Sequence, residues 1–138
     1  MPNSMYLILG TSTEAGYLME TNRERDVLSP TCPSRVILNR IGDRWTIFVI
    51  IALADETLRF TELRKRIGGV TPKVLTETLR ALESDGLVRR DAYAEMPPRV
   101  EYSLTDLGAS LLGPIDAVRS WAELHVDEVL DARERASA

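Results

Sequence analysis

Between Leu58 and Leu104 the chain is punctuated in an order that few folds accept. A short amphipathic run ends in two adjacent glycines, a longer one is opened by Thr-Pro and closed by Gly, and two alternating segments are then joined through a pair of prolines. The first piece, "LRFTELRKRIGG", reads as two extended residues followed by a helix capped by Thr61, with Leu63 and Ile67 facing inward and Gly68 and Gly69 as the stop. In "VTPKVLTETLRALESDGL", Thr71 can cap a second helix, Pro72 takes the first helical position where its missing N–H costs nothing, and Gly86 ends the run. "LVRRDAY" and "RVEYSL" alternate like paired strands. Pro97 and Pro98 between them fix φ and donate no hydrogen bond, so they belong to a hairpin tip. Val100, Tyr102 and Leu104 alternate with Arg99, Glu101 and Ser103, the pattern of a strand buried on one side. Thr105 followed by Asp106 then reads as a helix cap with an acid in the first turn.

The flanks complete the plan. "CPSRVILNRIGDRW" places Val36, Ile37, Arg40 and Ile41 at helical spacing and stops at Gly42. The run from Trp45 to Leu53 is apolar almost all round, which predicts a central buried helix. After Thr105 a long helix carries Leu107, Leu111, Leu112, Ile115, Val118, Trp121, Leu124 and Val129 on a broad stripe, with a kink expected at Pro114. About 25 residues at 1.5 Å each span nearly 40 Å, more than so small a core needs. The surplus apolar face predicts self-association through Leu111, Ile115, Val118, Trp121 and Leu124. Residues 1–31 show weak periodicity, with Met5 and Met19 as alternative starts, and read as an arm.

Composition narrows the classes. With 138 residues, 44% of them hydrophobic, the chain can bury one core. No apolar run approaches the ~20 residues that span a bilayer, and "MYLILG" lacks the basic flank of a signal peptide, so cytoplasmic residence is the default. Cys32 is the only cysteine and His125 the only histidine, which excludes an intrachain disulfide framework and a clustered zinc site; no cofactor is expected. The formal charge of −4 speaks against nucleic acid as a partner, but residues 34–99 carry 12 Lys and Arg against 9 Asp and Glu between two acidic ends.

Helix, glycine turn, helix and hairpin form the order of a winged helix-turn-helix, an α+β fold that is mainly α with a small β-hairpin. At 100° per residue, Leu75, Leu79 and Leu82 cluster on one face of the second helix. Lys73, Thr76, Glu77, Arg80 and Ser84 lie opposite. A solvated surface would look like this, and so would a major-groove reader. Thr71, Pro72, Lys73, Thr76 and Arg80 supply groups able to reach phosphates, base edges and thymine methyls, with Arg59 and Thr61 beside them on the preceding element. Glu77 weighs against DNA, though it can accept from cytosine. Arg99, beside the two prolines, has the chemistry to enter a narrow minor groove.

The segment from Cys32 to about Trp121 closely resembles the HxlR-type winged helix-turn-helix regulators, relatives of the MarR group. The resemblance is carried by "CP" before the first helix, "GDRW", "RFTELRKRI", "TPKVLTETLRALESDGLV" and "PPRVEYSLTDLG". It implies a bacterial or archaeal transcription factor acting as a homodimer on a pseudo-palindromic double-stranded operator. Its terminal helices would dimerise, the Thr71–Asp85 helix would sit in the major groove, and the hairpin would be the wing. On this reading residues 32–121 are the winged domain and residues 105–138 the dimerisation helix with an acidic tail. The arm and the tail depart from the family pattern.

Several members of that family sense oxidants or electrophiles through a cysteine near this position. The resemblance therefore implies a redox role for Cys32, against its alternative as an ordinary small residue before Pro33. Helix N-termini raise a thiol's reactivity. Trp45 and Trp121 read as core and interface aromatics. Nothing orients His125 and Cys32 as base and nucleophile, so no enzyme is expected. The rival readings are a winged-helix protein-interaction module without DNA binding and a regulator responsive to a small molecule.

Overall fold

The computed structural model describes residues 25–138, in two compact units that meet in sequence between Asp43 and Arg44. Most of the N-terminal arm, including Met5 and Met19, lies outside the described residues.

In the first unit Asp26 nucleates a turn, its carboxylate accepting from Leu28 N–H at 3.0 Å and its carbonyl from Ser29 N–H at 2.9 Å. Helix α1 (Pro33–Ile41) follows, with Cys32 as its extended N-cap, Pro33 in its first turn, and Gly42 closing it through a bond to the Leu38 carbonyl at 2.8 Å. The helix predicted here forms. None of its residues is buried, and Val36, Ile37 and Leu38 are exposed.

The second unit begins with α2 (Arg44–Ala52), the central helix expected from its all-round apolar sequence; Val49, Ile50 and Ala52 are buried. Strand β1 (Leu58–Arg59), α3 (Phe60–Ile67), α4 (Pro72–Ser84), β2 (Val88–Tyr93), β3 (Arg99–Leu104), α5 (Asp106–Ala109) and α6 (Leu112–Ala136) complete it. The core gathers Val49, Leu58, Leu63, Leu75, Leu79 and Leu82 with Val70, Leu87 and Val88, and Trp45 packs on its edge as a core aromatic. Each leucine fully withdrawn from water contributes about 1.5–3 kcal/mol.

The hairpin pairs Val88 with Leu104 through to Tyr93 with Arg99. It gains a third strand that the sequence reading left unpaired: Leu58 and Arg59 lie opposite Tyr102 and Glu101, giving the order β1-β3-β2. As the middle strand, β3 is half-buried at every position, so the one-sided alternation expected of it is not observed.

Three local expectations are corrected. Helix α3 starts at Phe60, and its N-terminus is closed by Glu62, whose carboxylate accepts from Arg59 N–H at 2.9 Å; Thr61 sits inside the first turn and is not the cap. The long helix after Thr105 is broken into α5 and α6. Pro114 falls in the first turn of α6, where an N–H has no intrahelical partner to lose, so no mid-helix kink arises.

Candidate nucleic-acid interface

Two glycines set the angle between α3 and α4. Gly68 and Gly69 have φ of 72° and 73°, which L side chains rarely adopt, and this reverses the chain within two residues. Arg64 locks the turn by donating from Nε to the Val70 carbonyl at 3.2 Å. Thr71 then caps α4, its hydroxyl oxygen accepting from Val74 N–H at 3.2 Å, and Pro72 enters at the first turn.

Helix α4 has the two faces its spacing predicts. Leu75 and Leu82 are fully buried and Leu79 nearly so. Lys73, Glu77, Arg80 and Ser84 are exposed, with Thr76 half-buried. Neither Lys73 nor Arg80 has an ion-pair partner among the described residues, and Glu77 neutralises neither of them. Cations left unpaired on a rigid, exposed helix face retain their full charge for a polyanion.

Thr61 and Thr71 are brought together across the glycine turn. They line one groove of about 510 Å³ with Arg64, Lys65, Gly68, Gly69 and Val70. Arg59 is exposed at the end of β1, while Pro72 and Lys73 continue the rim along α4. Arg64 and Lys65 escaped the sequence reading, although the basic run "LRKR", one residue before two glycines, was the available signal. So did Arg89 and Arg90 on β2. Both are exposed; Arg89 pairs with Asp91 at 3.1 Å, and Arg90 has no ion-pair partner among the described residues.

Arg99 is not the free tip cation expected of it. Its guanidinium donates to Glu95 and to Glu101, each at 3.0 Å, and lies 4.0 Å from the centroid of the Tyr93 ring. The side chain is 29% exposed, its Nε is buried without a partner, and two carboxylates offset its charge. Cross-strand pairing of Tyr93 with Arg99 is what assembles this cluster. Arg99 thus stiffens the hairpin.

The expected dimer residues divide into two groups. Ile115 is buried and Leu111 packs against the core, because the start of α6 lies on the chain's own fold. Val118, Trp121 and Leu124 are exposed, at 60%, 58% and 78%, and are joined by Val126 and Leu130. The Trp121 ring stacks on His125 at 4.8 Å, and His125 Nδ1 lies 2.9 Å from the Trp121 carbonyl oxygen.

Cys32 is a free thiol, buried at 4% exposure, and its backbone carbonyl accepts from Arg35 N–H at 3.1 Å as α1 begins. No group of His, Cys, Asp and Glu able to hold a metal occurs among the described residues, and no described helix is long and apolar enough to cross a membrane.

Comparison with known proteins matches residues 40–130 to the HxlR-like helix-turn-helix family. An uncharacterized HTH-type transcriptional regulator of Escherichia coli K12, YtfH, is 41% identical over 121 residues, covering 88% of this chain and 96% of YtfH. The solved structure of a transcriptional regulator YtfH from Salmonella typhimurium aligns with a TM-score of 0.73 at 42% identity, covering 79% of this chain and 97% of that one. The redox regulator HypR in its reduced form aligns with a TM-score of 0.66 at 37% identity, covering 72% of this chain and 98% of HypR.

Proposed function

Since the chain belongs to the HxlR-like helix-turn-helix family of transcriptional regulators, we propose that it binds specific DNA sequences as a homodimer, with α4 in the major groove and the β2–β3 hairpin as the wing. The observation that carries this reading is the outer face of α4, where Lys73 and Arg80 stand unpaired above a helix anchored by Leu75, Leu79 and Leu82. Thr71 and Pro72 present the helix start to phosphate, Thr76 and Arg80 reach toward base edges, and Arg59 and Thr61 flank the groove at the glycine turn. Arg99 serves the wing by holding its shape, and Arg90 supplies the charge that Arg99 has spent on Glu95 and Glu101. Fluorescence anisotropy with DNA from upstream of the gene, titrated with salt, tests the reading. Specific, steeply salt-dependent binding supports it, and salt-independent binding or none refutes it.

The homodimer is supported by the apolar face that α6 leaves exposed from Val118 to Leu130, a surface that a second copy covers by two-fold symmetry.

A response to oxidants or electrophiles through Cys32 is the second part of the proposal. It is supported by the similarity to HypR, named as a redox regulator, and by a lone thiol set where α1 begins. Because the thiol is buried, modification requires the chain around it to open, which gives a chemical event on sulfur a route to a change in shape.

A further inference from the structure

The second unit holds a cleft whose charged groups the DNA-binding account does not use. Two hollows, of about 460 and 240 Å³, share Ile51, Arg66 and Arg119 in their linings. The larger lies within the roughly 300–1,000 Å³ typical of small-molecule sites. Three helices and one bend contribute to it: α2 through Ile51, the bend that follows α2 through Asp55, the end of α3 through Arg66, and the first half of α6 through Ile115, Asp116 and Arg119.

The cleft combines apolar walls with two charges of each sign, and these charges do not neutralise one another. Asp55, Arg66 and Asp116 have no ion-pair partner among the described residues, and Arg119 meets only Glu123, at 3.5 Å on the exposed side of α6. Two guanidinium groups suit a carboxylate, with bidentate geometry. A purely anionic ligand would be repelled by both aspartates, and a purely cationic one by both arginines. We propose that this cleft binds a small zwitterion with an apolar body, of the α-amino acid class. Its carboxylate lies toward Arg66 and Arg119, its ammonium toward Asp55 and Asp116, and its side chain against Ile51 and Ile115. The site stands apart from the proposed DNA face, so its occupancy is measurable whether or not the chain binds DNA.

The test is a methyl NMR titration of the full chain, labelled at isoleucine δ1, with L-phenylalanine, L-leucine, phenylethylamine and 3-phenylpropionate. The two amino acids are expected to move the Ile51 and Ile115 signals saturably, and the two singly charged analogues to bind at least tenfold more weakly than L-phenylalanine. Arg66→Gln and Asp116→Asn, both at exposed positions, should each weaken amino-acid binding at least tenfold without shifting the melting temperature. No saturable shift with either amino acid, or equal affinity for L-phenylalanine and its two singly charged analogues in the wild type, overturns the proposal.

Discussion

Thr105 donates from its hydroxyl to the carbonyl of Gly86 at 2.6 Å, tying the start of α5 to the turn that ends α4. The same hydroxyl oxygen accepts from Gly108 N–H at 3.0 Å, and Thr105 N–H donates to the Leu87 carbonyl at 3.1 Å. Gly108 closes the joint: a Cβ there would lie 2.0 Å from the Leu87 carbonyl oxygen, where no side chain fits. Through this joint the helix that leads toward α6 is anchored to the end of the proposed reading helix.

Breaking that joint should cost stability in a graded way. Thr105→Val removes the cap and the bond to Gly86 and should destabilise the fold by about 1–2 kcal/mol, whereas Thr105→Ser should retain most of it. Gly108→Ala should cost more, because it forces backbone away from Leu87. Urea denaturation of the three variants checks the order.

Arg99→Ala should lower the melting temperature, since the substitution leaves Glu95 and Glu101 facing each other without their cation and strips the Tyr93 ring of its partner. The partly exposed ion pairs each contribute at most about 1 kcal/mol, so the shift should be modest. The salt dependence of DNA binding should stay nearly unchanged, because the Arg99 charge is already matched. Calorimetry together with anisotropy separates the two effects, and a slope that becomes shallower by one phosphate contact per subunit would return Arg99 to the DNA surface.

What could be read in advance was what is local. The α2 helix followed from a nearly unbroken apolar run, and α4 from a Thr-Pro start and three leucines at helical spacing, signals that lie within a dozen residues of each other. The pairing of Leu58 with Tyr102 joins positions far apart in the chain and depends on how α3 and α4 fold between them, so no local pattern announces it. The pairing of Arg99 was hidden for the same reason. Its two acids flank it in sequence, but the Tyr93 ring reaches it only through strand register. The apolar stripe of the last helix was legible, whereas its division at Ile115 between own core and open surface depended on where α6 begins.

Replacing Trp121 or Leu124 by Glu places a charge on the surface proposed to meet its symmetry mate and should convert the dimer to monomer. Both side chains are exposed in the single chain, so the subunit fold should persist. Analytical ultracentrifugation at micromolar concentration with circular dichroism checks both points, and a wild type that sediments as a compact monomer would contradict the proposed dimer.

Hydrogen peroxide or a quinone should release DNA from the wild type and leave the Cys32→Ser variant bound, since Cys32 is the only thiol in the chain. Mass spectrometry distinguishes an oxyacid, an intersubunit disulfide and a quinone adduct. Equal sensitivity of the two proteins would remove Cys32 from the response.

The most direct measurement is the affinity for an upstream duplex and for random DNA across a salt series, for wild type, Lys73→Ala and Arg80→Ala. If the outer face of α4 reads DNA, Arg80→Ala should weaken specific binding by about 1–3 kcal/mol with less change on random DNA. Lys73→Ala should weaken both and make the salt slope shallower by roughly one phosphate contact per subunit. Affinities and slopes that match the wild type in both variants, on both duplexes, would contradict the account.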